Sequence, residues 1–286
     1  MLIELLSKAA TIAMLSFVVS SMLAMGAGLT VSRVLEPLHN TRLVLLALLA
    51  NFVVMPLGAL ALAKVLSLEE PFSVGLLLLG CAAGAPFLPK LGELARGNLA
   101  FAVGLMVLLM VVTVGYMPTV LPLLLPGVTV NAWAIARSLL LLMLLPLAAG
   151  LAMRARYGDL AMRVKPTLDW VSNISLILLV CLITAANIDK VLEVFGTGGI
   201  LAGLLFIALG FWAGWLLGGP NADTKRVMAL GTGQRNIAAA LVVANQGFSD
   251  AKVVVMVIVV AIAGLIILMP LSRALSGASE PVRHRV

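Results

Sequence analysis

Apolar runs of about twenty residues recur along this chain, with only short polar connections between them. A run of that length crosses the hydrocarbon core of a bilayer as one helix. Backbone in lipid must satisfy its hydrogen bonds internally, so helices of this kind bundle together. The expected fold class is an all-α polytopic membrane protein. Composition agrees: 62% of the 286 residues are hydrophobic and 11% are charged, where a soluble domain carries about a quarter charged residues. A soluble enzyme, a nucleic-acid module and a disordered chain are excluded. The net charge of +7 fits basic loops on one side of a bilayer, so the expected partner is lipid and not nucleic acid. Cys81 and Cys181 lie inside apolar runs and read as packing residues, with no disulfide framework or metal site.

Nine spans are expected: Ala9–Leu29, Leu43–Ala63, Pro71–Ala95, Leu99–Leu125, Ala132–Met153, Leu168–Asn187, Gly198–Leu217, Thr224–Gln246 and Ala251–Leu271. The first is read as a retained helix and not a signal peptide, because Glu4 and Lys8 leave its leading segment without net positive charge. The longest loop, Arg154–Thr167, is basic.

Lysines and arginines divide unequally between alternate loops. One set holds 12: Arg33, Arg42, Arg96, Arg154, Arg156, Arg163, Lys165, Lys225, Arg226, Arg273, Arg283 and Arg285. The other holds 4: Lys8, Lys64, Lys190 and Lys252. The bias places the first set in the cytoplasm, with the N-terminus outside and the C-terminus inside. The expected setting is a bacterial inner membrane.

Two spans should break in the middle. The third carries Gly80, Gly84, Pro86, Pro89 and Gly92, with Lys90 and Glu93 among them. The eighth carries Gly231, Thr232, Gly233, Gln234, Arg235 and Asn236. Glycine loosens a helix, and proline removes a donor and clashes with the preceding turn. Backbone freed in this way must be buried in protein or line a cavity. Each segment has a glycine-rich break, a short helix and a polar exit, and each precedes a long apolar helix. Two repeats follow. The first is 1–127, with its broken helix at 71–96; the second is 128–286, with its broken helix at 224–246. Five helices separate the equivalent points, and an odd offset inverts one copy relative to the other. Paired broken helices in inverted halves point to the substrate site of a secondary transporter.

At these residues the chain resembles the bile acid:sodium symporter family. Met25-Gly26-Ala27-Gly28-Leu29-Thr30 is similar to a Met-Gly-Leu-Thr stretch of that family. Ala50-Asn51-Phe52-Val53-Val54-Met55-Pro56-Leu57 is similar to its Gln-Phe-x-x-Met-Pro-Leu helix. Cys81 through Asn98 resembles the first broken helix, and Leu230 through Ala240 the second, with Gln234 on the family glutamine. The resemblance implies a panel domain and a core domain, two broken helices crossing in the core, and alternating access of a substrate bound beside the crossing. It also implies that the chain begins at the family's second helix, leaving four helices before the midpoint and five after it.

The sodium ligands depart from the family pattern. A glutamate is usual four residues before the glutamine; that position is Leu230. The family's Ser-Asn pair aligns with Leu88 and Pro89, and its early hydroxyl residues with Ala102 and Met106. Asn51 and Gln234 remain as remnants of the second ion site. A hard cation takes about six or more oxygens, carboxylates among them, so sodium coupling of the family kind is doubtful. No other cofactor is expected.

Two cations stand near the crossing, Lys90 and Arg235. A charge at mid-membrane must face a partner or a cavity. Arg235 binds an anionic substrate, takes the place of a lost sodium ion and braces the helices, or is a buried arginine bonded only to helix-end carbonyls. Lys90 either shares that role, pairs with Glu93 one turn away, or snorkels to the headgroups. Arg137 is expected to snorkel. Asn236 and Thr232 are expected to line the substrate site with Arg235 and Lys90. Asn51 either bonds across to Gln234 or contacts ion or substrate. Thr113, Asn173 and Ser175 are read as pore-facing or as helix–helix glue.

The expected function is secondary transport of a small or amphipathic organic anion, with fixed positive charge from Lys90 and Arg235. Two alternatives stay open: a sodium-coupled symporter with a remodelled ion site, and a non-transporting receptor-like homologue. An enzyme is not expected. The two histidines, His39 and His284, fall in a loop and the tail. No acidic pair lies within a span. The sequence carries no signal of oligomeric state.

Overall fold

The computed structural model describes residues 2–30, 40–125, 132–186 and 188–277. Arg33, His39, Arg283, His284 and Arg285 lie outside the described residues. Among those described, the regular elements are all helical. They are α1 (Leu2–Gly28), α2 (Thr41–Val65), α3 (Glu70–Cys81), α4 (Leu88–Leu94), α5 (Leu99–Leu124) and α6 (Ala132–Arg156). Then follow α7 (Gly158–Ala186), α8 (Ile188–Gly196), α9 (Gly199–Leu217), α10 (Ala222–Gly233), α11 (Ile237–Gly247) and α12 (Ala251–Gly277).

Eight helical stretches among the described residues are long and apolar enough to cross a membrane, counting α10 and α11 as one. The third of the nine expected spans is present as α3 and α4, each too short to cross alone. Several boundaries differ from the sequence reading: α1 starts at Leu2, before Ala9, and α12 runs past Leu271 to Gly277. The segment Arg154–Thr167 is not a loop: α6 runs through Arg156 and α7 starts at Gly158. Leu160, Ala161, Met162, Arg163 and Lys165 are good helix formers, and Pro166 sits inside the helix without ending it. Helix α8 fills what reads in sequence as a connection.

Helices α2 and α6 each contain one π turn, Ala50–Val54 and Leu140–Leu144. Each π turn ends two residues before a proline, Pro56 or Pro146. Proline offers no N–H to the carbonyl four residues back. For Pro56 that carbonyl belongs to Phe52, and the Tyr116 hydroxyl of α5 donates to it at 2.5 Å. Such π turns recur at functional sites.

The helices fall into two packed groups. Helix α1 lies against α6 and α7. Its approach to α6 is close because Gly26 faces Gly150: a side chain at Gly26 would strike the Leu147 carbonyl at 2.2 Å. Ser175 of α7 donates to Ser16 of α1 at 2.9 Å, so Ser175 acts as glue between these helices. Asn173 is exposed. The other group gathers α2, α3, α4, α5, α9 and α12 around α10 and α11. The apolar window across α10 and α11 is 100% buried, against 11% for α7. The most polar broken helix is therefore the centre of the bundle.

Candidate functional site

Helix α3 stops at Cys81, and the chain from Ala82 to Phe87 is not helical before α4 begins. Gly84 has φ +81°, and a Cβ there would lie 2.4 Å from the Met110 nitrogen. Only glycine meets both demands. The freed backbone at Ala83 is held chiefly by Thr113, with Asn236 Nδ2 also donating to its carbonyl at 3.4 Å. Thr113 of α5 donates to the Ala83 carbonyl at 3.1 Å and accepts from the Ala83 N–H at 3.0 Å. Pro89 lies in the first turn of α4, where its missing donor costs nothing.

The second break spans Gln234, Arg235 and Asn236. Gln234 turns extended and ends α10. Asn236 caps α11, its Oδ1 accepting from the Ala239 N–H at 3.1 Å. The same residue joins the two breaks. Its backbone N–H donates to the Ala82 carbonyl at 2.9 Å, and its Nδ2 to the Gly84 carbonyl at 3.0 Å.

Arg235 is 4% exposed and lies where these segments meet. Its Nε donates to the Leu79 carbonyl at 2.8 Å and Nη2 to the Gly80 carbonyl at 2.7 Å. Nη1 donates to Asn51 Oδ1 at 2.7 Å and to the Thr232 carbonyl at 3.3 Å. Nη2 also faces the Asn51 carbonyl at 3.5 Å. Leu79 and Gly80 end α3, and Thr232 ends α10. A helix C-terminus carries about half a negative charge, so two such ends together offset one guanidinium.

Asn51 lies in the π turn of α2 and is buried. Its Nδ2 donates to Thr232 Oγ1 at 3.2 Å and to the Ala47 carbonyl at 3.0 Å. It does not pair with Gln234; its cross-helix partners are Thr232 and Arg235. Gln234 Oε1 is buried without a hydrogen-bond partner among the described residues. It borders a cavity of about 10 Å³, lined also by Arg235, Ile237 and Gly264.

Lys90 lies elsewhere. It is half-exposed on α4 and pairs with Glu93 at 2.8 Å, because one helical turn brings the two together. The structure thus brings Arg235, Asn236, Thr232, Asn51 and Gln234 together and leaves Lys90 outside that group. Arg137 is exposed. Leu88, Ala102, Met106 and Leu230 are fully buried in the apolar core. Arg226, counted in sequence as a loop cation, is buried in α10 and donates to the Ala95 carbonyl beyond α4 at 3.3 Å. Thr113, Tyr116 and Arg226 all serve backbone carbonyls; their only sequence signal was polarity inside or beside apolar runs.

A second cavity, of about 220 Å³, opens between α7, α11 and α12. Its lining is apolar and includes Ile177, Cys181, Ile258 and Ile262. Ile237 and Ala261 line both cavities, so the apolar cleft adjoins the polar crossing. Among the described residues no cluster of His, Cys, Asp and Glu could hold a metal ion.

The model of the Sodium Bile acid symporter family matches residues 14–194, well over half of the chain. The chain belongs to this family. Members of the sodium bile acid symporter family are transporters and not enzymes. The relatives include a probable sodium/metabolite cotransporter, BASS1, of Arabidopsis thaliana, 27% identical over 80% of this chain and 58% of its own length. BASS3 of the same plant, also a probable sodium/metabolite cotransporter, is 25% identical over 76% of this chain and 52% of its own. An uncharacterized sodium-dependent transporter, YocS, of Bacillus subtilis is 25% identical over 82% of this chain and 74% of its own. The chain thus spans little more than half the length of the plant relatives.

Proposed function

We propose that this chain carries an amphipathic organic anion across a membrane by alternating access, without the two-sodium coupling of its family. The observation that carries the reading is the occupancy of the crossing: its converging carbonyls already accept from Arg235. The same oxygens are not offered to a sodium ion. Among the described residues no carboxylate bonds to the guanidinium, and Leu230, Leu88 and Ala102 put hydrocarbon where the family resemblance implies ligands. The organic part of the substrate suits the apolar cleft beside α11. Its anionic end suits the start of α11 beside Arg235, where the helix dipole is positive. The movement would occur between the group of α1, α6 and α7, as panel, and the group that holds both breaks, as core. With Arg226 buried, the remaining basic residues still divide 11 to 4, which supports a cytoplasmic C-terminus; the setting we propose is a bacterial inner membrane.

The test is counterflow of a labelled bile acid in proteoliposomes, in sodium and in choline buffer. Equal rates in both are expected. A rate that climbs steeply with sodium overturns the uncoupled reading and favours a symporter with a remodelled ion site. Binding without exchange overturns transport and favours a receptor-like protein.

A further inference from the structure

We infer that Arg235 is a tethered cation: its guanidinium fills a cation site built by three helices, and removing it uncovers a site for a free monovalent cation. The contacts are all to oxygen. Leu79 and Gly80 come from the end of α3, Thr232 from the end of α10, and Asn51 supplies both its backbone carbonyl and Oδ1 from the π turn of α2. These are the donor types that a protein turns toward a bare cation: several neutral oxygens, converging from separate elements. Two of the elements are helix C-termini, whose dipoles favour positive charge. The shell is buried in apolar surroundings formed by Leu79, Ile207 and Val260. A neutral residue at 235 would take a donor from each of these carbonyls, leaving Leu79 with only the Ala82 N–H at 3.1 Å, in a medium that charges heavily for unmet polar groups.

The order of these contacts indicates a replacement and not a substrate-binding arginine. Its Nε, Nη1 and Nη2 are each engaged with protein oxygen. A coupling ion must bind and leave in every transport cycle. A guanidinium on the chain cannot leave. Resting on the transport reading above, this makes Arg235 the residue that fixes the absence of ion coupling. The crossing stays latched throughout the cycle, and substrate runs down its own gradient.

Chemical rescue tests the tether without requiring transport. Purified Arg235→Ala is melted in choline buffer and again with guanidinium at about 10 mM, far below denaturing concentration. The variant should melt several degrees below the unsubstituted protein in choline. Guanidinium should return most of that loss saturably, as a ligand that binds only the folded state does. The unsubstituted protein should not move, and the double variant Asn51→Ala, Arg235→Ala should regain much less. An Arg235→Ala protein as stable as the original, or one that guanidinium leaves unmoved, overturns the inference. If Arg235→Ala cannot be isolated in either buffer, Arg235→Lys and Arg235→Gln decide. The tether requires Lys to hold the fold better than Gln, and equal behaviour overturns it. The two readings fail separately. Sodium-driven flux in the original protein removes the uncoupled reading and leaves the rescue standing. A failed rescue removes the tether and leaves the flux result standing.

Discussion

Arg235 Nη1 donates to Asn51 Oδ1 at 2.7 Å, joining residues 184 positions apart in the chain. The bond ties the break between α10 and α11 to the π turn of α2. Asn51 also donates to Thr232 Oγ1, so one amide holds the arginine and the end of α10 together.

That arrangement ranks two substitutions. Asn51→Ala removes a charge-assisted bond from a buried guanidinium, worth about 1.5–3 kcal/mol. Thr232→Ala removes one neutral interhelical bond, which in membrane proteins averages about 0.6 kcal/mol. Thermal melts in detergent should place Asn51→Ala well below Thr232→Ala. Equal losses would show that the charge on Arg235 does not depend on Asn51.

Thr113 satisfies both the N–H and the carbonyl of Ala83. Thr113→Val keeps the shape and removes the hydroxyl, leaving the buried Ala83 N–H unpaired at about 1–3 kcal/mol, while the Ala83 carbonyl keeps Asn236 Nδ2 at 3.4 Å. Thr113→Ser keeps the hydroxyl and should melt close to the original. If Val and Ser behave alike, the hydroxyl is not what holds the first break.

Lys90 and Glu93 pair in the open, with side chains 53% and 61% exposed. Exposed pairs are worth under about 1 kcal/mol and weaken with salt. Lys90→Gln should therefore leave the melting temperature almost unchanged, and should not alter guanidinium rescue in the Arg235→Ala background. A large loss would place Lys90 in the crossing after all.

Cys181 is exposed and lines the apolar cleft, whereas Cys81 is buried. A hydrophobic maleimide should modify Cys181 selectively and slow anion counterflow by filling the cleft. Substrate should protect the thiol, and Cys181→Ser should resist the reagent. Full activity after complete modification would move the substrate out of this cleft.

Much of the architecture is legible in the residues. Span length follows from bilayer thickness, and a run such as Leu99–Leu124 has one way to satisfy its backbone in lipid. The two breaks are equally legible, since Gly84, Pro86 and the Gly-Thr-Gly run before Gln234 oppose a continuous helix locally. The boundary errors have a local cause too. Hydropathy marks where a helix meets lipid, not where it ends, so the polar first turns of α7 look like a loop in sequence.

Sequence by itself determined that the chain is a membrane helix bundle with two broken spans and a cation at mid-membrane, because each of these follows from the chemistry of neighbouring residues. Only the tertiary structure decided what the cation does. Lys90 and Arg235 look alike in sequence, as single charges in glycine- and proline-rich spans. Their fates part because Lys90 has a carboxylate one turn away on an exposed face, while Arg235 meets carbonyls delivered by α2 and α3 from more than 150 residues upstream. Burial and partners depend on which helix ends converge, and no local pattern encodes that.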